Sequence, residues 1–218
     1  MSDVTLHLGD CLEYMRTLED GAVDCVVTDP PYGLGSRMNG GTWGASKGVN
    51  MAWDKQPLQG AIDELLTLAP VVAIWGGNYY DLPPSRCWLV WYKRDAATTM
   101  SDVELAWTNQ DKISRLIDMP IAAVNAERNG HPTQKPVRVM RWAMDVLSIP
   151  KGATVFDPFM GSGTTGVACV LTGRNFVGCE IDPVHFATAQ RRIAEAQMQP
   201  PLFPHEPAEQ VRQMELIA

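Results

Sequence analysis

The most constraining stretch of the sequence is a nearly continuous apolar run, Val23 to Thr28, that ends in Asp29-Pro30-Pro31-Tyr32. Such a run is typical of a strand buried on both faces of a parallel sheet. Each proline lacks an N–H and fixes its own φ, so the chain leaves the strand through a stiff turn. The carbonyls of this turn and the Asp29 carboxylate can only accept hydrogen bonds, and Tyr32 adds an aromatic face. The turn suits a planar ligand with an amino group, although Pro-Pro is also an ordinary way to end a strand.

Strand and helix patterns alternate along the rest of the chain. Runs of β-branched, aromatic or alternating apolar residues predict seven strands, which are Val4–Leu8, Val23–Thr28, Val71–Trp75, Cys87–Tyr92, Val103–Thr108, Thr154–Phe156 and Asn175–Cys179. Helical patterns lie between many of them, at Leu12 to Leu18, Ile62 to Ala69, Pro136 to Pro150, Thr164–Leu171 and Val184–Gln197. The pattern weakens between Asn109 and Gly130. This rhythm predicts an α/β fold with a mostly parallel seven-stranded sheet and helices on both faces.

Composition indicates a globular protein with one domain of ordinary to large size, since the chain has 218 residues and 45% apolar content. Neither a membrane span nor a secretory signal is recognisable, so we expect the protein in the cytoplasm. The five cysteines are widely spaced within or beside apolar stretches. They are interpreted as small buried hydrophobes in a reducing compartment, and we assign no metal to them.

Charge is segregated along the chain. The net charge of −7 argues mildly against nucleic acid, because phosphate binding depends on Lys and Arg. Between Arg86 and Arg141, however, nine Lys and Arg residues stand against six Asp and Glu residues. This distribution permits one basic face without requiring it.

A second motif has the pattern strand, glycine turn, helix, and runs from Val155 to Gly166 as Val-Phe-Asp-Pro-Phe-Met-Gly-Ser-Gly-Thr-Thr-Gly. Glycines at such a turn let the backbone approach a ligand, and an acidic residue at the end of the next strand can bind ribose hydroxyls. Glu180 occupies that position. The combination predicts a nucleoside-binding unit, with a mere tight turn beside a surface carboxylate as the alternative.

The two motifs together resemble those of the amino-group DNA methyltransferases that depend on S-adenosylmethionine. Asp29-Pro30-Pro31-Tyr32 matches the catalytic motif of that family, and the segment from Asp157 to Thr165 matches its cofactor motif. Further matches are Gly9-Asp10, the segment His131 to Pro136 and the segment Gly178 to Pro183. The order, with the catalytic motif first, resembles the permuted subgroup called beta. The resemblance implies a Rossmann-like class I methyltransferase domain over residues 1–197, followed by an extended tail at 198–218.

The resemblance also implies roles for individual residues. Asp29, Pro30, Pro31 and Tyr32 would be catalytic. Cofactor-binding residues would be Asp10, Thr133, Gln134, Lys135, Asp157, Phe159, Gly161, Ser162, Gly163, Thr164, Thr165 and Glu180. Glu180 would hold the ribose, Asp10 would accept from the adenine amino group, and Thr133, Gln134 and Lys135 would lie near the methionine end. As alternatives, Asp10 caps the helix that follows it and Lys135 is a solvated charge.

The substrate implied by the resemblance is double-stranded DNA with a base flipped out of the helix. In that family an Asp at the first catalytic position is associated mainly with adenine, so Asp29 favours adenine N6 over the alternative, cytosine N4. Two other classes of function are an idle cofactor-binding or DNA-binding partner subunit and a methyltransferase acting on RNA or on a protein amide nitrogen. The intact catalytic motif argues against the idle subunit, and the full glycine turn with the permuted order favours DNA.

Target recognition is assigned to two segments, the glycine-rich loop 33–57 and the insert 109–130. Candidate DNA contacts are Lys47, Lys112, Arg115 and Arg128, each with an ordinary solvated surface residue as the alternative. In the tail, Gln199 to Phe203 resembles the short peptide by which bacterial DNA enzymes dock onto the replication sliding clamp. The alternative is a hydrophobic pair that folds back onto the body. Dimers are common in the subgroup that the chain resembles, so a homodimer is a candidate assembly.

Overall fold

One mixed sheet organises the part of the protein that the computed structural model describes, residues 2–33, 58–97, 101–122 and 135–199. Its strands are β1 Val4–Leu8, β2 Cys25–Thr28, β3 Val71–Trp75, β4 Trp88–Tyr92, β5 Val103–Thr108, β6 Arg115–Asp118, β7 Thr154–Asp157 and β8 Asn175–Glu180. They lie in the order β1-β8-β7-β2-β3-β5-β4-β6. Only β5 runs against its neighbours β3 and β4, and the other pairs are parallel. The prediction of a mostly parallel sheet is confirmed.

The predicted number of strands was wrong by one, because β6 was missed. This strand lies at the edge of the sheet and pairs only with β4 among the described strands. Its side chains at Arg115, Leu116 and Asp118 are exposed, so the segment has neither an apolar run nor a buried alternating face. The seven predicted strands all form, although β2 begins at Cys25 rather than at Val23.

Five α-helices of the described ranges flank the sheet: α1 Cys11–Met15, α2 Gln59–Leu68, α3 Val137–Val146, α4 Thr164–Leu171 and α5 Pro183–Met198. Core residues of α3, α4 and α5 share one apolar cluster with one face of the sheet, while those of α1 and α2 join a second cluster on the other face. In β2, Cys25 and Val27 belong to the first cluster and Val26 to the second. The strand is therefore buried on both faces, which explains its unbroken apolar run.

The five cysteines are all buried and in the thiol form, as predicted. Burial raises the pKa of the Cys25 thiol to about 12, so this side chain acts as a small apolar group. Within the described ranges, no helix has the length and apolar character needed to cross a bilayer. In the same ranges, no group of three or more His, Cys, Asp and Glu side chains is placed to hold a metal ion.

The strand directions bring polar residues together where the parallel strands finish, and we call this end of the sheet its carboxyl edge. Strands β1, β8, β7, β2 and β3 are successive parallel neighbours, so their carboxyl ends lie side by side. Because β5 is antiparallel, its amino end reaches the same edge. This edge therefore carries Glu180 at the end of β8, the glycine turn after β7, Asp29 after β2 and Glu104 near the start of β5.

Candidate active site

The turn Asp29 to Tyr32, which we call the catalytic turn after the motif that it resembles, follows β2. The Asp29 carboxylate faces a cluster of hydrogen-bond donors. The Tyr32 hydroxyl donates to Asp29 Oδ1, and the Tyr80 hydroxyl donates to the Pro31 carbonyl. Lys135 Nζ lies 2.7 Å from the same Oδ1 atom and donates to the Tyr32 hydroxyl oxygen at 3.0 Å. The two prolines restrict the backbone of the turn and donate no hydrogen bond, while side chains from elsewhere in the chain fix its position.

The aromatic wall of the site is formed by Tyr32 together with residues that follow β3. Gly76 has φ +66, and a Cβ there would lie 2.0 Å from the Tyr32 ring, so only glycine lets the ring approach this strand end. Tyr79 stacks on Tyr32 with ring centroids 4.9 Å apart and an interplanar angle of 20°. Tyr79 is 44% exposed. Gly76 and Tyr79 were not predicted to belong to the site. The sequence signal for them was the pair Gly76-Gly77 directly after β3.

Lys135 lies in the catalytic half of the site. By resemblance it was expected near the methionine end of the cofactor, but its ammonium contacts Asp29 and also Glu104 Oε2, at 3.0 Å. The alternative of a solvated charge is wrong, because Lys135 is 6% exposed. Lys93 Nζ donates to the other oxygen of Glu104 at 3.0 Å. Glu104 and Lys93 were not identified from the sequence, since nothing local distinguishes them from surface charges.

Burial and charge set the ionisation of this cluster. Burial raises the pKa of Asp29, and the Lys135 ammonium opposes part of that rise. Burial acts to raise the pKa of Glu104 as well, but the ammonium groups of Lys135 and Lys93 outweigh it and lower this pKa to about 2. Burial and the neighbouring Asp29 raise the pKa of Tyr32 well above its usual value, so its hydroxyl remains a donor.

The glycine turn after β7 has two distinct sides. Gly161, at φ +51, has no described residue other than its chain neighbours within 4 Å of where a Cβ would be, and its N–H donates to Glu180 Oε2 at 2.9 Å. Gly163, at φ +79, packs against α5, where a Cβ would lie 2.8 Å from the Cβ of Ala189. The resemblance placed both glycines against the cofactor. In the structure Gly161 faces open space, whereas Gly163 permits close packing of the turn on a helix.

A buried arginine of α5 anchors this turn. Arg192 Nη1 donates to the Ser162 carbonyl, to Ser162 Oγ at 2.9 Å and to Thr164 Oγ1 at 3.3 Å. Arg192 is only 5% exposed. Ser162 and Thr164 therefore bind protein groups here. Arg192 was not predicted from the sequence, because it lies in an otherwise ordinary amphipathic helix.

Asp157 joins the two motifs. Its Oδ1 accepts from Thr28 Oγ1 at 2.7 Å and from the Phe159 N–H at 3.1 Å, and its Oδ2 accepts from Thr165 Oγ1 at 2.6 Å. Thr28 is the last residue of β2, directly before Asp29. Burial raises the pKa of Asp157 to about 6, although these hydroxyls oppose the rise. The carboxylate of the cofactor motif thus holds the catalytic turn beside the glycine turn.

Asp10 follows β1 and Glu180 ends the neighbouring strand β8, so both lie at the far end of the same edge. Leu8 and Glu180 are register partners in β1 and β8. Asp10 Oδ1 accepts from the backbone N–H groups of Leu12 and Glu13, at 2.8 and 3.1 Å, so it caps α1 as one interpretation of the sequence expected. Glu180 also accepts from the Asp182 N–H at 2.8 Å.

Two of the candidate DNA contacts, Lys112 and Arg115, belong to the described part of the chain. Lys112 Nζ donates to the Val146 and Leu147 carbonyls, at 3.4 and 3.0 Å, at the end of α3. Arg115 begins β6, so both residues lie towards the sheet edge opposite Asp29. Other predicted features lie outside the described residues, namely Lys47, Arg128, Thr133, Gln134, residues 34–57 and residues 200–218.

The strand order and the glycine turn after β7 define the class of protein: the fold is that of the class I methyltransferases. Among solved structures, M1.HpyAVI in complex with SAM is 23% identical and superimposes with a TM-score of 0.59, covering 87% of this chain and 98% of that chain. The cytosine-N4-specific PvuII DNA methyltransferase is 13% identical, with a TM-score of 0.59 and coverage of 90% and 92%. At these identities the likeness shows the fold.

The chain belongs to the N6/N4 methyltransferase family, described as DNA methylase, which matches residues 74–191. The YubD protein of Escherichia coli (strain K12) is 30% identical over 215 residues, covering 87% of this chain and 89% of that protein. The type II methyltransferase M.ScaI of Streptomyces caespitosus is 27% identical over 254 residues, with coverage of 90% and 83%. These relatives match nearly the whole length of the chain.

Proposed function

We propose that the protein transfers a methyl group from S-adenosylmethionine to the exocyclic amino group of a flipped DNA base, with adenine N6 as the favoured target. The observation that carries this proposal is the pairing of the two motifs. The catalytic turn and the glycine turn follow adjacent parallel strands, β2 and β7, and Asp157 bonds to both sides through Thr28 and Thr165. A methyl donor beside the glycine turn and a base beside Asp29 would therefore be neighbours.

The residues at the glycine turn fit a nucleoside cofactor. A Cβ on Gly161 would point into open space, which is where a ligand can approach the backbone. Glu180 ends β8 beside it, where a carboxylate can accept from ribose hydroxyls. Asp10 follows the neighbouring strand β1, and its carboxylate would accept from an adenine amino group further along the edge. When bound, S-adenosylmethionine supplies an electrophilic sulfonium methyl group.

The catalytic turn supplies acceptors and an aromatic face for the target base. An exocyclic amino group is a poor nucleophile because its lone pair is delocalised into the ring. Hydrogen bonds from its two hydrogens to Asp29 and to the Pro30 carbonyl localise that lone pair. Tyr32 stacks on the base and offsets part of the cost of flipping, about a few kcal/mol. Catalysis would rest mainly on positioning, with Asp29 and the Pro30 carbonyl orienting the amino group towards the methyl donor.

Adenine is favoured by the Asp at the first position of the catalytic motif. Cytosine N4 is the second candidate, because a carboxylate can accept from either amino group and the cytosine-N4-specific PvuII enzyme has the same fold.

The DNA would approach the edge that carries Asp29. Of the predicted contacts, Lys47 and Arg128 belong to the two proposed recognition segments and remain candidates. Lys112 and Arg115 face the opposite edge, and Lys112 has a structural partner at the end of α3. Homodimer formation and docking of Gln199 to Phe203 on the sliding clamp remain proposals, to be checked by sedimentation and by pull-down with purified clamp.

The experiment is incubation with methyl-labelled S-adenosylmethionine and unmethylated DNA, RNA or protein, followed by digestion and identification of the modified unit. We expect N6-methyladenine in DNA. Asp29→Ala should abolish transfer while calorimetry shows unchanged cofactor binding, and Asp20→Ala, an exposed carboxylate before β2, should behave as wild type. Label in RNA or protein alone, or turnover by Asp29→Ala, would contradict the proposal.

A further inference from the structure

Four charged side chains of alternating sign form a chain of ion pairs that ends at Asp29. Lys93 Nζ lies 3.0 Å from Glu104 Oε1, and Glu104 Oε2 lies 3.0 Å from Lys135 Nζ. Lys135 Nζ in turn lies 2.7 Å from Asp29 Oδ1. We refer to Lys93, Glu104 and Lys135 as the ion-pair chain. Its members come from the end of β4, the start of β5 and the residue before Pro136, so only the fold brings them together.

The geometry of the ion-pair chain is specific at Lys135. An ammonium group has three N–H donors, and this one has three acceptors within 3.0 Å: Asp29, Glu104 and the Tyr32 hydroxyl oxygen. The side chains of Lys135 and Lys93 are each 5% exposed. The ammonium also lies 5.2 Å from the centre of the buried Trp75 ring. Buried charges are costly unless paired, so this cluster indicates a function at the carboxylate rather than simple stabilisation.

We propose that Glu104 and Lys93 are positioning residues for methyl transfer: they hold Lys135, and through it they fix the direction and charge of the Asp29 carboxylate. The inference rests on the proposed function and deepens it. Glu104 shares the ammonium with Asp29. When a target amino group donates to Asp29, the Lys135 ammonium still has two partners, Glu104 and Tyr32. Its hydrogen bond to the Asp29 carboxylate can then weaken without leaving the ammonium unpaired.

The charges around Asp29 act in opposite directions. Lys135 favours the ionised carboxylate, whereas the negative charge of Glu104 disfavours it. Tyr32 donates a hydrogen bond that favours ionisation. Asp157, on β7, senses Asp29 as a like charge. Removing Lys135 should therefore raise the pKa of Asp29, and neutralising Glu104 should lower it.

The test measures kcat between pH 4.5 and 9 with labelled S-adenosylmethionine and unmethylated plasmid DNA. The variants are Lys135→Met, Glu104→Gln and Lys93→Met, with the exposed Lys151→Met as the matched control. We expect the acid limb of the profile to move up by about one pH unit in Lys135→Met and down by a smaller amount in Glu104→Gln. Lys93→Met should move it up slightly, because Glu104 then draws Lys135 away from Asp29. The KM for the cofactor should stay as in wild type.

The outcomes separate this inference from the proposed function. Opposite shifts in Lys135→Met and Glu104→Gln support it, since general loss of structure would not move the limb in two directions. Limbs that coincide with wild type in both variants, limbs that move the same way, or no limb in any protein would overturn it. If Lys135→Met fails to fold, the isosteric Glu104→Gln and Lys93→Met still give opposite signs. Absence of methylated DNA with the wild-type protein would instead refute the proposed function.

Discussion

Gly161 and Gly163 belong to one turn, yet the same substitution by alanine should affect them differently. Both have positive φ, +51 and +79, so alanine at either position carries backbone strain of roughly 1–2 kcal/mol. At Gly163 the new Cβ would also lie 2.8 Å from Ala189 Cβ and 2.9 Å from its Cα, which belongs to helix backbone and cannot simply turn away. Overpacking of this kind costs about 1–3 kcal/mol more. At Gly161 an added Cβ would have no described atom within 4 Å, its chain neighbours apart.

The expected loss of unfolding free energy is therefore about 2–5 kcal/mol for Gly163→Ala and about 1–2 kcal/mol for Gly161→Ala. Gly152→Ala is the matched control for strain alone, because its φ is +80 and its Cβ would meet nothing. Urea unfolding gives the comparison: with an m-value of about 2 kcal/mol per molar, Gly163→Ala should lower the midpoint by about 1–2.5 M.

Cofactor binding should show the reverse order. A methyl group on Gly161 enters the space that the proposed cofactor needs, so calorimetry should show S-adenosylmethionine affinity weakened by about tenfold or more, which is about 1.4 kcal/mol. Gly152→Ala should bind normally. Equal destabilisation by Gly161→Ala and Gly163→Ala, or wild-type cofactor affinity in Gly161→Ala, would refute the assignment of the two sides of the turn.

Three further changes test individual contacts. Arg192→Met should lower the unfolding free energy by about 2–3 kcal/mol, because buried acceptors of the glycine turn lose a charged donor. The control Arg191→Met, at an exposed position, should change it by less than about 0.5 kcal/mol. Burial raises the pKa of Asp157 from 3.8 to about 6 in the folded state, so its contribution to stability is complete below pH 3.8 and is lost as pH rises through 6. Relative to Asp157→Asn, wild type should lose about 2–3 kcal/mol between pH 4 and 7, and a difference independent of pH would contradict this. Tyr80→Phe removes the hydrogen bond to the Pro31 carbonyl, so we expect about 1 kcal/mol less stability in urea unfolding and a lower kcat with unchanged cofactor binding.

The fold class could be predicted from the sequence because its signals are local. Each strand of the sheet interior is short, apolar and bounded by turn residues, and such runs are recognisable without knowing their partners. The edge strand β6 escaped detection for the same reason: at Arg115 to Asp118 most side chains face solvent, so pairing with β4 alone decides its conformation. Both motifs were also visible, since each is a contiguous segment whose residue types suit a stated chemistry.

The sequence by itself determined that Asp29 ends a buried strand and that Gly161 lies in a turn followed, at the next strand end, by Glu180. Only the tertiary structure decided what surrounds them. Lys135 lies more than a hundred residues from Asp29 along the chain, and the two meet because the fold places the residue before α3 beside the carboxyl end of β2. Glu104 meets Lys93 and Lys135 because the antiparallel strand β5 brings its amino end to the edge where β4 and β2 finish. Charges in a sequence carry no information about which partner will lie within 3 Å of them, because burial and pairing are properties of the folded chain.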